Sequence, residues 1–324
     1  MNLSVRSFKH THELERPYGI GGSDIGAILG LSPYRSAAQV WAELVSGAGR
    51  RGTDALHLRF GRHAESFVAS EYERATGLWT TPHPQTIFHR SHPHLFAHVD
   101  RLVSCSAEDD GSTPLLSRAC RVLECKTANA FSREDWGEAG SDRVPPSYLV
   151  QCAWYMALSE LPQADLAVLI GNNDLRIYHL PRDLELEELI IERANTFWHE
   201  HVLARTPPRP VSPGDASILY PRSLADTTVA ASPQILETVR RYQACQGRLK
   251  LLEQESESLK TEIMAFMGEQ ELLSHEGMPL VSWRSARPAR RLDGRALSLA
   301  HPEIAAQFTT ETAGARRFLL KEHA

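Results

Sequence analysis

Paired cysteines are missing from this chain. Its five, at 105, 120, 125, 152 and 245, are odd in number and contain no CxxC pair. That spacing argues against a zinc ribbon or a disulfide framework, and the cysteines read as reduced thiols of a cytoplasmic protein. No stretch of 18 uncharged apolar residues occurs, so no membrane-spanning helix is expected. The first ten residues hold Arg6 and Lys9 but no apolar core, so no secretory leader is expected. The formal net charge is −5. This excludes a protein that coats DNA by bulk positive charge and confines any nucleic-acid surface to a local patch. Internal repeats and low-complexity tracts are also lacking. What remains is a chain of 324 residues, 42% apolar, enough for buried cores and about two domains.

The clearest break is Thr206–Gly214, TPPRPVSPG, whose four prolines oppose regular structure. It sets expected domains at 1–212 and 213–324. In the first, Ser23 or Asp24 can cap a helix carrying Ile25, Ile28 and Leu29, and Ser36 can cap another carrying Val40, Trp41 and Leu44. Leu56–Thr76 has a helical apolar stripe ended by Gly77. Strand patterns follow at 85–89, 95–103 and 121–127, with a polar hairpin loop at 104–117. Pro145-Pro146 opens a helix over 147–158. A hairpin pairs 165–171 with 175–179, and a helix covers 182–204. In the second domain, 233–268 is a long charged helix suited to an antiparallel helix partner or short coiled coil. A short strand at 280–283 and a basic end, including Arg316, Arg317 and Lys321, complete it.

The chemistry concentrates at Asp100 and, twenty-four residues on, Glu124-Cys125-Lys126 in an apolar run. Two carboxylates offer hard oxygen ligands for Mg²⁺ or Mn²⁺. Side chains alternate along a strand, so Lys126 returns to the face of Glu124 while Cys125 points away. An ammonium there can orient an attacking water and offset charge on a pentavalent phosphorus. Glu65 lies on the preceding helix, Gln151 and Tyr155 on the following one. Helix, strand, strand, helix in this order resembles the αβββαβ plan of the PD-(D/E)XK nucleases, and the resemblance implies an α/β fold, with a restriction-endonuclease-like core (a central mixed sheet flanked by helices) and a C-terminal helical/β appendage.

The motifs become more specific together. They are Gly19–Tyr34 (GIGGSDIGAILGLSPY), Phe60–Glu65 (FGRHAE), His98-Val99-Asp100, Glu124-Cys125-Lys126, and Val144–Gln151 with Tyr155-Met156. The chain resembles the YqaJ-type viral recombinase family, relatives of phage lambda exonuclease. Met267–Gln270 and Arg316–Lys321 extend a looser resemblance to the tail.

The resemblance implies a Mg²⁺-dependent deoxyribonuclease, with Mn²⁺ able to substitute and two ions per site. It implies Lys126 as the catalytic lysine, and Glu65, Asp100, Glu124 and the backbone carbonyl of Cys125 as metal ligands. Gln151 would hold substrate phosphate or water; a buried amide paired with backbone is the plainer reading. His98 could touch phosphate or be structural, and Tyr155 reads as core packing. In relatives an Arg seven residues before a Ser contacts a terminal 5′-phosphate. Arg16 and Ser23 stand at that spacing, against the alternative of a surface Arg and an N-cap Ser. The histidines at 83, 89, 92, 94 and 98 match no zinc motif and read as incidental.

The activity so implied is 5′ to 3′ digestion of one strand of linear double-stranded DNA. It would leave 3′ single strands for a single-strand annealing protein in phage-type recombination, carried out by a ring-shaped homo-oligomer in the bacterial host cytoplasm, in a phage or prophage context. Two rivals remain. One is a structure-selective or repair endonuclease on the same core, which does not need Arg16 and Ser23. The other is a non-catalytic DNA-end or protein-binding module, against which stand the intact Asp100, Glu124 and Lys126. The iron–sulfur branch of this fold is disfavoured, because no four-cysteine frame surrounds the core.

Overall fold

A computed structural model describes residues 18–46, 55–104, 115–311 and 314–321. The chain divides into two compact units, 1–220 and 221–324.

The first unit begins with β1 (Ile20–Gly21), α1 (Gly22–Ile28), α2 (Ala37–Ser46) and α3 (Leu56–Thr76). Short strands follow: β2 (Trp79–Pro82), β3 (Ile87–Phe88), β4 (Leu95–Ala97) and β5 (Arg101–Ser104). Then come α4 (Leu115–Arg118), β6 (Ala119–Ala128) and α5 (Pro146–Ser159). β7 (Gln163–Ile170), β8 (Asp174–Pro181), α6 (Leu184–Phe197) and α7 (Pro213–Leu219) complete it. Five strands form one mixed sheet in the order β2-β5-β6-β7-β8, parallel only between β6 and β7. A smaller sheet has the order β1-β4-β3. This is the expected mixed α/β arrangement, a central sheet with helices on its faces.

Alternation along the strands sorts the two faces. Leu123, Cys125, Val103 and Ala167 pack with Val68, Ala69 and Tyr72 of α3. Val122, Leu166, Val168 and Ile170 belong to the larger core, which includes Val150, Trp154 and Tyr155 of α5. α5 is buried on nearly every side, which explains its lack of a polar stripe. Pro146 at its first turn needs no helical N–H partner, and Glu160 closes it in the left-handed region at φ 59°. α1 lies against α5. Gly22 makes that approach possible: a Cβ there would stand 2.5 Å from the Tyr155 ring.

Several expectations change. Residues 95–103 are not one strand: β4 and β5 belong to different sheets, with His98, Val99 and Asp100 between them. Of the expected 104–117 loop, Ser104 ends β5, residues 115–117 open α4, and 105–114 lie outside the described residues. β2 has no counterpart in the expected pattern, because Trp79–Pro82 is mostly exposed and shows no alternation. α6 ends at Phe197 and continues as a π-helical turn over Trp198–Leu203. The proline-rich 206–214 stays irregular up to Ser212, whose hydroxyl caps α7, and Asp215 accepts a 2.6 Å hydrogen bond from Ser36. Cys120 is disulfide-bonded, which corrects the expectation of thiols throughout, while Cys125, Cys152 and Cys245 are free. No helix among the described residues is long and apolar enough to cross a membrane.

The second unit is built on α8 (Pro233–Met267), capped by the Ser232 hydroxyl. A hairpin of β9 (Leu272–His275) and β10 (Met278–Ser282) follows, then α9 (Gly294–Ala300) and α10 (Pro302–Gln307). β10 overlaps the expected 280–283 strand; β9, α9 and α10 were not legible. Met267 is buried, whereas most apolar residues of α8 are exposed.

Candidate active site

The site forms where β6 changes partners. Antiparallel pairing with β5 runs only as far as Leu123 opposite Arg101, while parallel pairing with β7 continues to Ala128. Beyond Leu123 the β5-side edge of β6 has no ladder partner among the described residues. Asp100, one residue before β5, fills the first gap: the Cys125 amide donates to its Oδ2 at 2.9 Å. In a strand the N–H and C=O of one residue point to the same edge. The Cys125 carbonyl therefore faces this opened edge as well.

Glu124 and Lys126 share the α5 face and are ion-paired through Glu124 Oε1. That oxygen also accepts from Gln151 Nε2 at 2.7 Å, and the same nitrogen lies 2.7 Å from the Tyr155 hydroxyl. Glu124 is 2% exposed, and its second oxygen, Oε2, is buried without a hydrogen-bond partner. A buried carboxylate oxygen left unpaired costs free energy. An incoming cation would satisfy it.

Electrostatics agree with that geometry. Burial, then the adjacent Asp100 charge, pushes the Glu124 carboxyl up to about 8, with Lys126 pulling the other way. For Lys126, burial disfavours the ammonium, but Glu124 and Asp100 together outweigh it and hold the proton more tightly than usual. The ammonium also lies 5.4 Å from the centre of the Tyr148 ring, which stacks on Trp136. Tyr148 and Tyr155 are thus neighbours of the charged cluster, which helical periodicity alone did not single out. The Val-Pro-Pro-Ser-Tyr motif was the available signal.

Glu65 of α3 stands on the Cys125 side of the sheet. It pairs at 3.4 Å with Arg101, whose register opposite Leu123 puts it on the α3 face. Among the described residues no group of three or more His, Cys, Asp or Glu side chains converges on one cation position. Asp100 and Glu124 are together; Glu65 is near the Cys125 side but engaged with Arg101. The Cys125 thiol is buried and its pKa pushed well up, so its backbone, not its sulfur, is the group offered.

Neither Ser23 nor Asp24 occupies the N-cap position of α1. Gly21 is the N-cap, and Asp24 reaches back to accept its N–H at 2.9 Å while pairing with Arg35. Ser23 is exposed in the first turn of this helix, and Arg16 lies outside the described residues. His98 is not on a strand shared with Asp100; its Nε2 lies 2.7 Å from the Thr86 hydroxyl. The histidines at 89, 92 and 94 do gather: His89 stacks on His92, and His94 on Trp198. A cavity of about 420 Å³ is lined by His89, His92, Glu188, Glu192 and Asn195 among others, but by none of the site residues above.

Residues 12–162 match the family described as YqaJ-like viral recombinase domain, in line with the resemblance read from the motifs. The chain is 25% identical over 315 residues to "Uncharacterized protein YqaJ" of Bacillus subtilis (strain 168), covering 95% of this chain and 93% of that protein. Among solved structures, the alkaline exonuclease LHK-Exo of Laribacter hongkongensis is 16% identical with a TM-score of 0.47, over 60% of this chain and 92% of that one. A phage-related exonuclease from Haemophilus somnus 129PT is 13% identical with a TM-score of 0.40, over 58% and 95%.

Proposed function

We propose that this chain, whose residues 12–162 match the YqaJ-like viral recombinase domain, is a metal-dependent DNA exonuclease that digests linear duplex DNA. The observation that carries the reading is the unpartnered, buried Oε2 of Glu124 beside Asp100 and Lys126. Glu124 and Asp100 would hold Mg²⁺, two ions in all, with the Cys125 carbonyl turned to the same edge. A bound divalent ion supplies Lewis acidity at the scissile phosphate. Lys126 then orients the attacking water and offsets charge as the new phosphorus–oxygen bond forms and the bond to the leaving 3′-oxygen breaks. Gln151 fixes Glu124 Oε1 and can turn its amide to a phosphate oxygen. Glu65, whose Oε1 pairs with Arg101, would complete the metal shell.

The finer reading is 5′ to 3′ polarity, with Arg16 and Ser23 receiving a 5′-phosphate. The resulting 3′ strands would pass to a single-strand annealing protein, and the enzyme would work as a ring-shaped homo-oligomer. The test is digestion of linear duplex DNA labelled at either end, with and without 5′-phosphate, in Mg²⁺, beside Lys126→Ala. Progressive loss from phosphorylated 5′ ends, abolished by the substitution, is expected. Cuts in closed circular DNA that vanish in the variant would point to an endonuclease instead. Absence of any Lys126-dependent cleavage would leave a binding module.

A further inference from the structure

α8 presents a long apolar seam to solvent. Over Pro233–Met267 a heptad can be laid with Ile235, Tyr242 and Leu249 at a and Leu252, Leu259 and Phe266 at d. All six are exposed, Leu252 by 60% and Phe266 by 80%, and the Tyr242 ring meets Phe318 edge-on. The helix is also divided by charge. Its first eighteen residues carry four cations and one glutamate, and its last seventeen carry four glutamates and one lysine.

We infer that α8 pairs antiparallel with α8 of a second copy of this chain. Two-fold symmetry centred between Lys250 and Leu251 sets Leu249 against Leu252, Tyr242 against Leu259 and Ile235 against Phe266 of the second copy. In the same register the flanking g positions face one another across the seam, Arg241 towards Glu262 and Arg248 towards Glu255, each pair offset by two residues along the axis. None of these four side chains makes a salt bridge within the chain among the described residues. A parallel pair would instead lay the basic half on the basic half and the acidic half on the acidic half. Like charges held side by side disfavour that arrangement, so the charge pattern selects the antiparallel one. A 35-residue helix is about 52 Å long, room for five heptads; of the other a and d positions Ile263 is apolar, while Thr238, Cys245 and Ser256 are small. Gly247 falls at an outward f position, where a helix contact does not need a side chain. This inference does not depend on the proposed nuclease activity.

The orientation has a covalent readout. Antiparallel pairing sets Cys245 against Ser256 of the second copy and keeps the two Cys245 thiols eleven residues apart, about 16 Å along the axis. Cys245 is free and exposed in the single chain, whereas Cys125 and Cys152 are buried. Full-length Ser256→Cys protein, mildly oxidised at low micromolar concentration, should run as a covalent dimer on a non-reducing denaturing gel. Wild type should not. Adding Arg241→Glu and Arg248→Glu should reduce the cross-linked fraction severalfold, and further adding Glu255→Arg and Glu262→Arg should restore it. A wild-type dimer through Cys245 would overturn the inference in favour of parallel pairing. No cross-link in Ser256→Cys, with a folded protein by circular dichroism, would show that the seam is covered by this chain itself or by another protein.

Discussion

The Cys125 amide donates to Asp100 Oδ2 across the gap left where β5 stops pairing with β6. A carboxylate thus stands in for a missing strand residue. Asp100→Asn keeps an acceptor for that amide but removes the charge. The variant should melt close to wild type while Mg²⁺-stimulated DNA digestion falls by about 10²-fold or more. Asp100→Ala strands the buried amide and should cost about 1–3 kcal/mol in a denaturant titration.

Glu124 gives the fold a pH signature. Its carboxyl is raised from 4.5 to about 8 in the metal-free site, so the folded state binds a proton that the unfolded chain has already lost. The stability contributed by this proton is full below pH 4.5 and is lost as pH climbs to about 8. Glu124→Gln mimics the acid and cannot ionise, with Asp100 and Lys126 still facing it. Its melting temperature should match wild type near pH 5 and exceed it by a growing margin towards pH 8. A constant difference across that range would contradict the assignment. Mg²⁺ should stabilise wild type more at pH 8.5 than at pH 6, because the cation and the proton compete for one carboxylate.

Lys126→Ala should lower cleavage by about 10²–10³-fold and leave the fold intact. Lys126→Arg keeps a charge but not its compact shape beside Tyr148, and should recover little of the rate. Single-turnover assays at saturating DNA would separate the chemical step from weakened binding.

On the opposite face of the sheet, Asp165 is fully buried and joins Tyr72 of α3, Arg121 and His179. Asp165→Ala leaves Arg121 and the Tyr72 hydroxyl without this acceptor and should destabilise by about 3–5 kcal/mol. Urea unfolding followed by tryptophan fluorescence would measure it. Tyr72 shares α3 with Glu65, so milder variants here should disturb the helix before they disturb Glu124.

Gly22→Ala would push a methyl group into the Tyr155 ring. Overpacking of this kind costs about 1–3 kcal/mol. Tyr155 also contacts Gln151, so the variant should lower cleavage as well as the melting temperature. Unchanged values for both would mean that α1 can move away from α5 freely.

Much of the core was legible because its signals are local. Alternation in β6, the helical stripe of α3 and the proline start of α5 each reside in one short segment. The carboxylate–lysine pair was legible for the same reason, two residues apart on one strand. The split of 95–103 into β4 and β5 was not, because an apolar run has the same composition whether it stays in one sheet or crosses to another. The Arg101–Glu65 pair was also hidden: it joins residues thirty-six apart, and only the register of β5 against β6 puts them on one face. Gly22 was visible as a residue but not as a contact, since its role depends on a ring over 130 positions away.

The late start of β5 also bears on how such a sheet can change. Three residues, His98 to Asp100, cross from one sheet to the other and leave five positions of β6 without a ladder partner on that side among the described residues. Extending β5 backward by two residues would zip a backbone ladder over Cys125 and seal the opening. The protein would become a better sheet with its proposed site closed. Insertions that strengthen pairing here should therefore raise thermal tolerance while silencing the site, so a screen for heat resistance alone would collect inactive chains at this junction.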